Sequence, residues 1–337
     1  MARRFISDLR PGERLEDEVF LIKSKELRAT SQGTLYIHAV LMDRTGQLLA
    51  RMWQATQEIF QNLPDGGFMR FKGRTENYKG HLQFIIEALR LAEPGSYEPS
   101  EFVPATSKNI AEMWARLVEI LSEVRHPELK ALIDEFLRDE PLMQRFRKAP
   151  AAVSMHHAFI GGLLEHTLHL LEVARRVIPL YPKLSLDLVL VGLFLHDIGK
   201  ANELAYETAL GYTDEGQLLG HIVLASSWID QKIRGLVDRT RRPFPEELRW
   251  MIQHIVVSHH GQYEFGSPKL PAIPEAVAVH HLDNLDAKVN ILLNAIEQDR
   301  DPGAHWANFN QALQTKVYKQ DVMGVRRRSP GAPALGE

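Results

Sequence analysis

The spacing of apolar residues changes once along this chain, and that change constrains the fold more than any other feature. From about residue 15 to residue 93 they fall in short runs rich in β-branched and aromatic side chains, punctuated by turn residues, a pattern of strands. From Ser107 onward they recur at i, i+3 and i+4, a pattern of amphipathic helices. Residues 94–106, rich in Pro, Ser and Glu, read as the linker between the two regimes.

In the first regime strands are predicted over residues 18–28, 34–42 (TLYIHAVLM) and 48–53, with DRTG as turn chemistry between the last two. A short helix is expected over residues 55–63, closed by PDGG, and two more strands, 68–78 and 81–91, meet around Lys79-Gly80. Five strands with a short helix after the third outline an OB-fold, a small Greek-key barrel that binds single strands. In the second regime helices are predicted over residues 109–124, 127–138, 141–148, 162–177, 185–196, 221–234, 245–259 and 274–297, and a last one over 306–317. The tail from Met323, with Arg326-Arg327-Arg328 followed by Pro and Gly, is expected to be disordered. The expected architecture is multidomain α and β. Residues 1–93 form a five-stranded OB-like β-barrel that binds nucleic acid, 94–106 the linker, 107–322 an all-α helical bundle and 323–337 the tail.

A chain of 337 residues accommodates two such domains. Net charge of -3 excludes a globally basic nucleic-acid binder but allows a local basic groove. There are no cysteines, so any metal must be held by His, Asp or Glu. The first residues, MARRFISDLRPGERL, contain no apolar signal region and no apolar run is long enough for a bilayer, so no membrane partner and a cytoplasmic location are expected.

Of the 15 histidines, 12 fall between His156 and His305. Several form an ordered series: His166, His196-Asp197 within LFLHDIGK, His221, His259-His260 and Asp283. Imidazole and carboxylate are the donors that hold first-row divalent metals. A carboxylate at a helix C-terminus, like Asp197, is electrostatically unfavourable without a cation nearby. Seven such groups suffice for two ions, which suggests a hydrolase. His169, His254, His156, His157 and His281 are individually more ordinary, as packed or solvated histidines, and Asp286 is evenly balanced between a metal or substrate contact and a local network.

The order H…HD…H…HH…D resembles the HD-domain metal-dependent phosphohydrolase superfamily. The strings HHAFIGGLLEHT, LFLHDIGK, LLGHI, SHHGQYEFGSP and HHLDNLDAK resemble its YhaM-type 3′→5′ exoribonuclease branch, as does the N-terminal LIKSKELRATSQGTLYIHAVLMDRTGQLLARMW. The resemblance implies that His166, His196, Asp197 and Asp283 hold one metal and that His221 with His259 or His260 extends the site to a second. It implies Mn²⁺, where donor chemistry alone leaves Fe²⁺, Co²⁺ or Zn²⁺ equally open. It further implies single-stranded RNA as substrate, with single-stranded DNA as a second one, nucleoside 5′-monophosphates as products, and a homo-oligomer. HHGQYEFGSP lacks the GYP signature of the cyclic-di-GMP phosphodiesterase branch.

Two ions together lower the pKa of a water toward neutrality and offset charge on the entering and leaving oxygens of a phosphodiester. In that chemistry Asp197 belongs to the catalytic centre, and Lys200 is expected to bind a non-bridging phosphate oxygen. His169 or His157 would protonate the leaving 3′-oxygen, and the sequence does not choose between them. On the barrel, Lys23, Arg28, Tyr36, Trp53, Lys72, Arg74 and Tyr78 are the candidate strand-binding residues, with Lys25, Arg44, Arg51 and Phe71 close by. Phe71 and Trp53, in alternating strands, are more often core than platform. Two other functions compete: a phosphohydrolase of small or cyclic nucleotides, which needs no strand guide, and a non-catalytic single-strand-binding regulator, which needs no complete ligand series.

Overall fold

A computed structural model of the chain describes residues 3–64, 66–78, 81–98, 101–152, 158–206, 211–297, 299 and 303–325. They fall into two compact units, Met1–His280 and His281–Glu337. The first begins with five strands, β1 (Arg14–Ala29), β2 (Leu35–Asp43), β3 (Gly46–Trp53), β4 (Phe68–Tyr78) and β5 (His81–Leu91), with the short helix α1 (Gln57–Asn62) after the third. Thr56 caps that helix by accepting the Ile59 amide. The strands close in the order β1-β2-β3-β5-β4, antiparallel except for β3 against β5, where Ala50 pairs with Phe84. This is the OB-like barrel that the strand pattern predicts.

Alternation decides what fills it. Phe20, Phe71 and Phe84 point inward from β1, β4 and β5, with centroids 6.1–6.4 Å apart, and Leu15, Ile22, Ile37, Leu41 and Leu48 pack around them. Phe71 is core rather than platform. The segment between barrel and helices is partly buried: Phe102 and Val103 are inaccessible, Phe102 packs edge-on to Phe68 and Tyr97, and Arg3 lies 3.8 Å over its ring.

Helices follow: α2 (Ile110–Ser122), α3 (Pro127–Leu137), α4 (Glu140–Lys148), α5 (Gly162–Val177), α6 (Leu186–Leu195), α7 (Lys200–Glu203), α8 (Asp214–Thr240), α9 (Glu246–Ser258) and α10 (Pro274–Glu297). In α6 every residue from Leu188 to Leu195 is buried, as expected of a helix apolar on all sides. Ser185 caps it by accepting the Leu188 amide, and α6 ends at the His196-Asp197 pair. Two short strands between α7 and α8, β6 (Leu204–Ala205) and β7 (Gly211–Tyr212), were not predicted.

In the second unit the helix predicted over residues 306–317 is instead a hairpin, β8 (Trp306–Asn310) against β9 (Thr315–Tyr318). The spacing of Trp306, Phe309, Leu313 and Val317 reads as helical, but the side chains alternate. Ala307 and Val317 are buried while Trp306 and Tyr318 stay half-exposed and meet edge to face across the strands, centroids 5.0 Å apart. Gln314, at φ 51°, turns the chain. Of the expected disordered tail, residues 326–337 lie outside the described residues. Among the described residues no helix is long and apolar enough to cross a membrane.

Candidate metal centre

The end of α6 sets the geometry. Asp197 is buried beside the negative end of that helix, and one ammonium and four imidazoles surround its carboxylate. Lys200, one turn on, places Nζ 2.7 Å from Asp197 Oδ2. His166 Nε2 on α5 and His196 Nε2 lie 3.8 and 3.4 Å from the same oxygen. The other oxygen, Oδ1, faces His221 Nε2 at 3.5 Å and His259 Nε2 at 3.6 Å. Among the described residues two ligand groups result, His166/His196/Asp197 and His221/His259/His260, the atoms of each lying within 4.8 Å of one another. One carboxylate therefore stands between two sets of imidazoles.

The ring nitrogens are oriented for ligation. His196 Nδ1 lies 2.7 Å from the Leu193 carbonyl, His259 Nδ1 2.7 Å from that of Val256, and His260 Nδ1 2.7 Å from that of Phe265. A carbonyl only accepts, so each Nδ1 carries the proton and each Nε2 lone pair is turned to the site. His221 Nδ1 donates to the Glu203 carboxylate at 3.0 Å, which also accepts the His221 backbone amide at 3.0 Å. Glu203 was missed by sequence reasoning, for it lies in ANELAYE with no ligand-like spacing; its only signal is its position one short helix after the HD pair.

A buried polar atom without a partner is costly. Among the described residues, Asp197 Oδ1, His221 Nε2 and His259 Nε2 are inaccessible and without a hydrogen-bond partner, and they converge. Divalent cations fit this donor set: nitrogen and carboxylate oxygen, no sulfur, aimed inward. Ionisation agrees. Burial works against a charged Asp197, yet the Lys200 ammonium and the His196 ring beside it hold its pKa well below the usual carboxylate value. Burial lowers the pKa of His259, and lowers that of His260 to about 4 with help from His259, leaving their lone pairs available near neutrality. For Glu203 burial also opposes charge, but the His221 hydrogen bond prevails and its pKa is lowered.

Two glycines make the approach possible. A Cβ on Gly199 would sit 2.1 Å from the His221 carbonyl oxygen, so the chain after Asp197 and the chain carrying His221 touch only because residue 199 has no side chain. Gly220, at φ +73°, breaks α8 immediately before His221, a conformation open to glycine at little cost.

Of the other candidates, His169 is exposed one turn along α5 from the buried His166, and neither ligand group contains it. His156 and His157 lie outside the described residues. Asp283 and Asp286 belong to the second unit, where Asp286 accepts from the Asn290 amide side chain at 2.9 Å. His280 packs its Nδ1 2.8 Å from the His259 carbonyl, and His254 Nε2 accepts the Ala272 amide.

On the barrel the strand-binding candidates separate. Tyr36 and Trp53 stack at 5.0 Å, and Arg51 lies 4.8 Å from the ring of Tyr78, 5.6 Å from Trp53 and 5.9 Å from Tyr36. Trp53 and Tyr78 are each 43% exposed, so Trp53 is surface, contrary to its expected burial. The cations Lys72 and Arg74 instead pair with Glu16 and Glu87, and Arg28 with Glu26. Lys25 bonds the Phe60 and Leu63 carbonyls at the end of α1; Lys23 is exposed.

The HD domain family matches residues 163–288, the stretch holding both ligand groups. The chain is similar, at 16% identity and a TM-score of 0.24, to a domain of replication protein A from Methanococcus maripaludis, covering 27% of this chain and 97% of that one. It is likewise similar, at 16% identity and a TM-score of 0.21, to a replication protein A heterotrimer bound to ssDNA, covering 27% of this chain and 66% of that one. Over 320 residues the chain is 34% identical to the 3′-5′ exoribonuclease YhaM of Geobacillus sp. (strain WCH70), covering 94% of this chain and 96% of that protein. With this relative, the HD match and the paired ligand groups together, the chain belongs to the YhaM family of HD-domain, metal-dependent phosphohydrolases.

Proposed function

We propose that this protein is a cytoplasmic 3′→5′ exoribonuclease that shortens single-stranded RNA, with single-stranded DNA as a second substrate, to nucleoside 5′-monophosphates with two Mn²⁺ ions. The observation that carries this reading is the Asp197 carboxylate, with one oxygen toward His166 and His196 and the other toward His221 and His259. His166, His196 and Asp197 would hold one ion, and His221, His259 and His260 the other, with the Asp197 carboxylate between them. Two such ions supply an activated water and neutralise charge on the phosphate oxygens.

The chain's own residues do the rest. The backbone carbonyls of Leu193, Val256 and Phe265 fix the tautomers of three of the five imidazole ligands, and Glu203 fixes that of His221. Lys200 keeps Asp197 ionised and adds positive charge where a phosphodiester anion must settle. His169, exposed and one turn from His166, returns a proton to the leaving 3′-oxygen. On the barrel, the aromatic group around Arg51 provides faces on which successive bases stack and a cation for the backbone. Holding the strand at a second place raises its effective concentration at the metal centre.

The test is a 5′-labelled single-stranded RNA incubated with the purified protein and Mn²⁺ and resolved on a gel. A ladder retreating from the 3′ end is expected, and none from Asp197→Ala. Intact RNA with turnover of small cyclic nucleotides would refute the substrate assignment, and binding without cleavage under any divalent metal would refute the enzyme.

A further inference from the structure

The turn that follows His260 carries two large side chains that the fold does not need. Tyr263 and Phe265 are 60% and 59% exposed, yet the turn itself is firmly held. The Phe265 amide donates to the Gln262 carbonyl and the Gly266 amide to that of Tyr263. Ser267 ties the turn back to α9 through the Val257 carbonyl, 3.1 Å from its Oγ. Its link to the metal centre is direct, because the Phe265 carbonyl is the acceptor for His260 Nδ1 at 2.7 Å. From the other side, the His221 ring lies 5.2 Å from that of His260, and Leu218 and Leu219, just before the Gly220 break that leads to His221, are 83% and 49% exposed. The segments that flank the His221/His259/His260 group in sequence thus carry apolar side chains that stay in water.

We infer that Tyr263 and Phe265 form a seat for the nucleobase of the residue being removed. The inference rests on the reading that a phosphodiester is cleaved at this centre. A phosphodiester brought to the histidines carries its nucleoside with it, and the chemistry that recognises a nucleobase without regard to sequence is a flat aromatic face. Every base has a π-face, so such a seat tolerates all four and suits stepwise removal. Anchoring the turn through the His260 hydrogen bond couples the position of the base to that of the ligand. The seat therefore sets where the scissile phosphorus stops.

The experiment uses the full-length protein with Mn²⁺ and a single-stranded RNA whose 3′-terminal base is 2-aminopurine, followed by stopped-flow fluorescence under single turnover. Stacking on an aromatic ring dims the probe, and release of the free nucleotide brightens it. The expected trace is a fall and then a rise. Phe265→Ala and Tyr263→Ala should lose the fall and raise KM for RNA about tenfold to a hundredfold each. Phe265→Trp should restore the fall. Mn²⁺ titration by calorimetry should be unchanged in all three, and an RNA ending in an abasic residue should be cleaved equally by wild type and both alanine variants. A fall without a rise leaves the seat standing and overturns the nuclease reading. A rise with no preceding fall, an unchanged KM in both alanine variants, or the same loss on the abasic RNA overturns the seat.

Discussion

Replacing Gly199 by alanine perturbs the centre without touching a ligand. The new methyl would start 2.1 Å from the His221 carbonyl oxygen and 2.8 Å from the His221 carbonyl carbon and Cα, distances that real Cβ atoms do not show below 3.0 Å. Relief therefore requires the two chains to part by at least about 0.9 Å, the difference between those two values (3.0 − 2.1). All three contacts are with backbone, so no flexible side chain can yield. One of those chains carries Asp197 two residues earlier and the other is His221, whose Nε2 is 3.5 Å from Asp197 Oδ1. Parting them opens the bridge between the ligand groups. A misplacement of about 1 Å costs on the order of 100-fold in rate, and overpacking costs about 1–3 kcal/mol of stability. The assay is kcat/KM on single-stranded RNA with saturating Mn²⁺, alongside a urea melt. The expected result is a loss of about 100-fold in a protein that still folds cooperatively. Activity within about threefold of wild type would refute the claim that this contact sets the centre.

As a control, Gly235→Ala, at an exposed position of α8 where a Cβ meets nothing within 4 Å, should stabilise by about 0.5–1 kcal/mol in the same melt and leave kcat/KM unchanged. Glu203→Ala removes the acceptor of His221 Nδ1 and should weaken Mn²⁺ binding about 10- to 100-fold, read by calorimetry, with the fold retained. Arg51→Ala should weaken RNA binding and reduce its salt slope by about one, measured by anisotropy, whereas Lys72→Ala, which removes a cation already paired with Glu16, should change it little. Asp139 caps α4 and pairs with Lys232 at 2.6 Å. Burial opposes its charge, but the Lys232 hydrogen bond prevails and its folded pKa is lowered. A depressed folded pKa means stabilisation that is complete above the unfolded value of about 3.9 and lost as pH falls through the lower folded value. Asp139→Ala should therefore cost about 1 kcal/mol at pH 7, and the difference in urea midpoints should shrink as pH falls below about 4.

Much of the centre was legible because its chemistry is written in residue types at recognisable places. The donor series suggested enough groups for two ions, and the family resemblance implied how they divide; His166, His196 and Asp197 form one group and His221, His259 and His260 another. What spacing could not convey was the division of labour around Asp197, since which oxygen faces which imidazole depends on how α5, α6, α8 and α9 pack. Glu203 was invisible for a related reason: a carboxylate that orients a ligand through Nδ1 needs only proximity in space. The barrel followed from alternation and turn chemistry, but its cations did not sort themselves, because Arg28, Lys72 and Arg74 pair with carboxylates that the one-dimensional pattern scatters. The hairpin at Trp306–Asn310 and Thr315–Tyr318 defeated periodicity outright: over so short a stretch, Trp306, Phe309, Leu313 and Val317 fit a helical repeat as well as they fit alternate faces.

The most direct measurement is anomalous scattering at the manganese edge from crystals of the protein grown with Mn²⁺. Two peaks per chain are expected, one among His166, His196 and Asp197 and the other among His221, His259 and His260, with the Asp197 carboxylate between them. A single peak, or peaks that leave Asp197 Oδ1 without a metal neighbour, would contradict the shared-carboxylate centre.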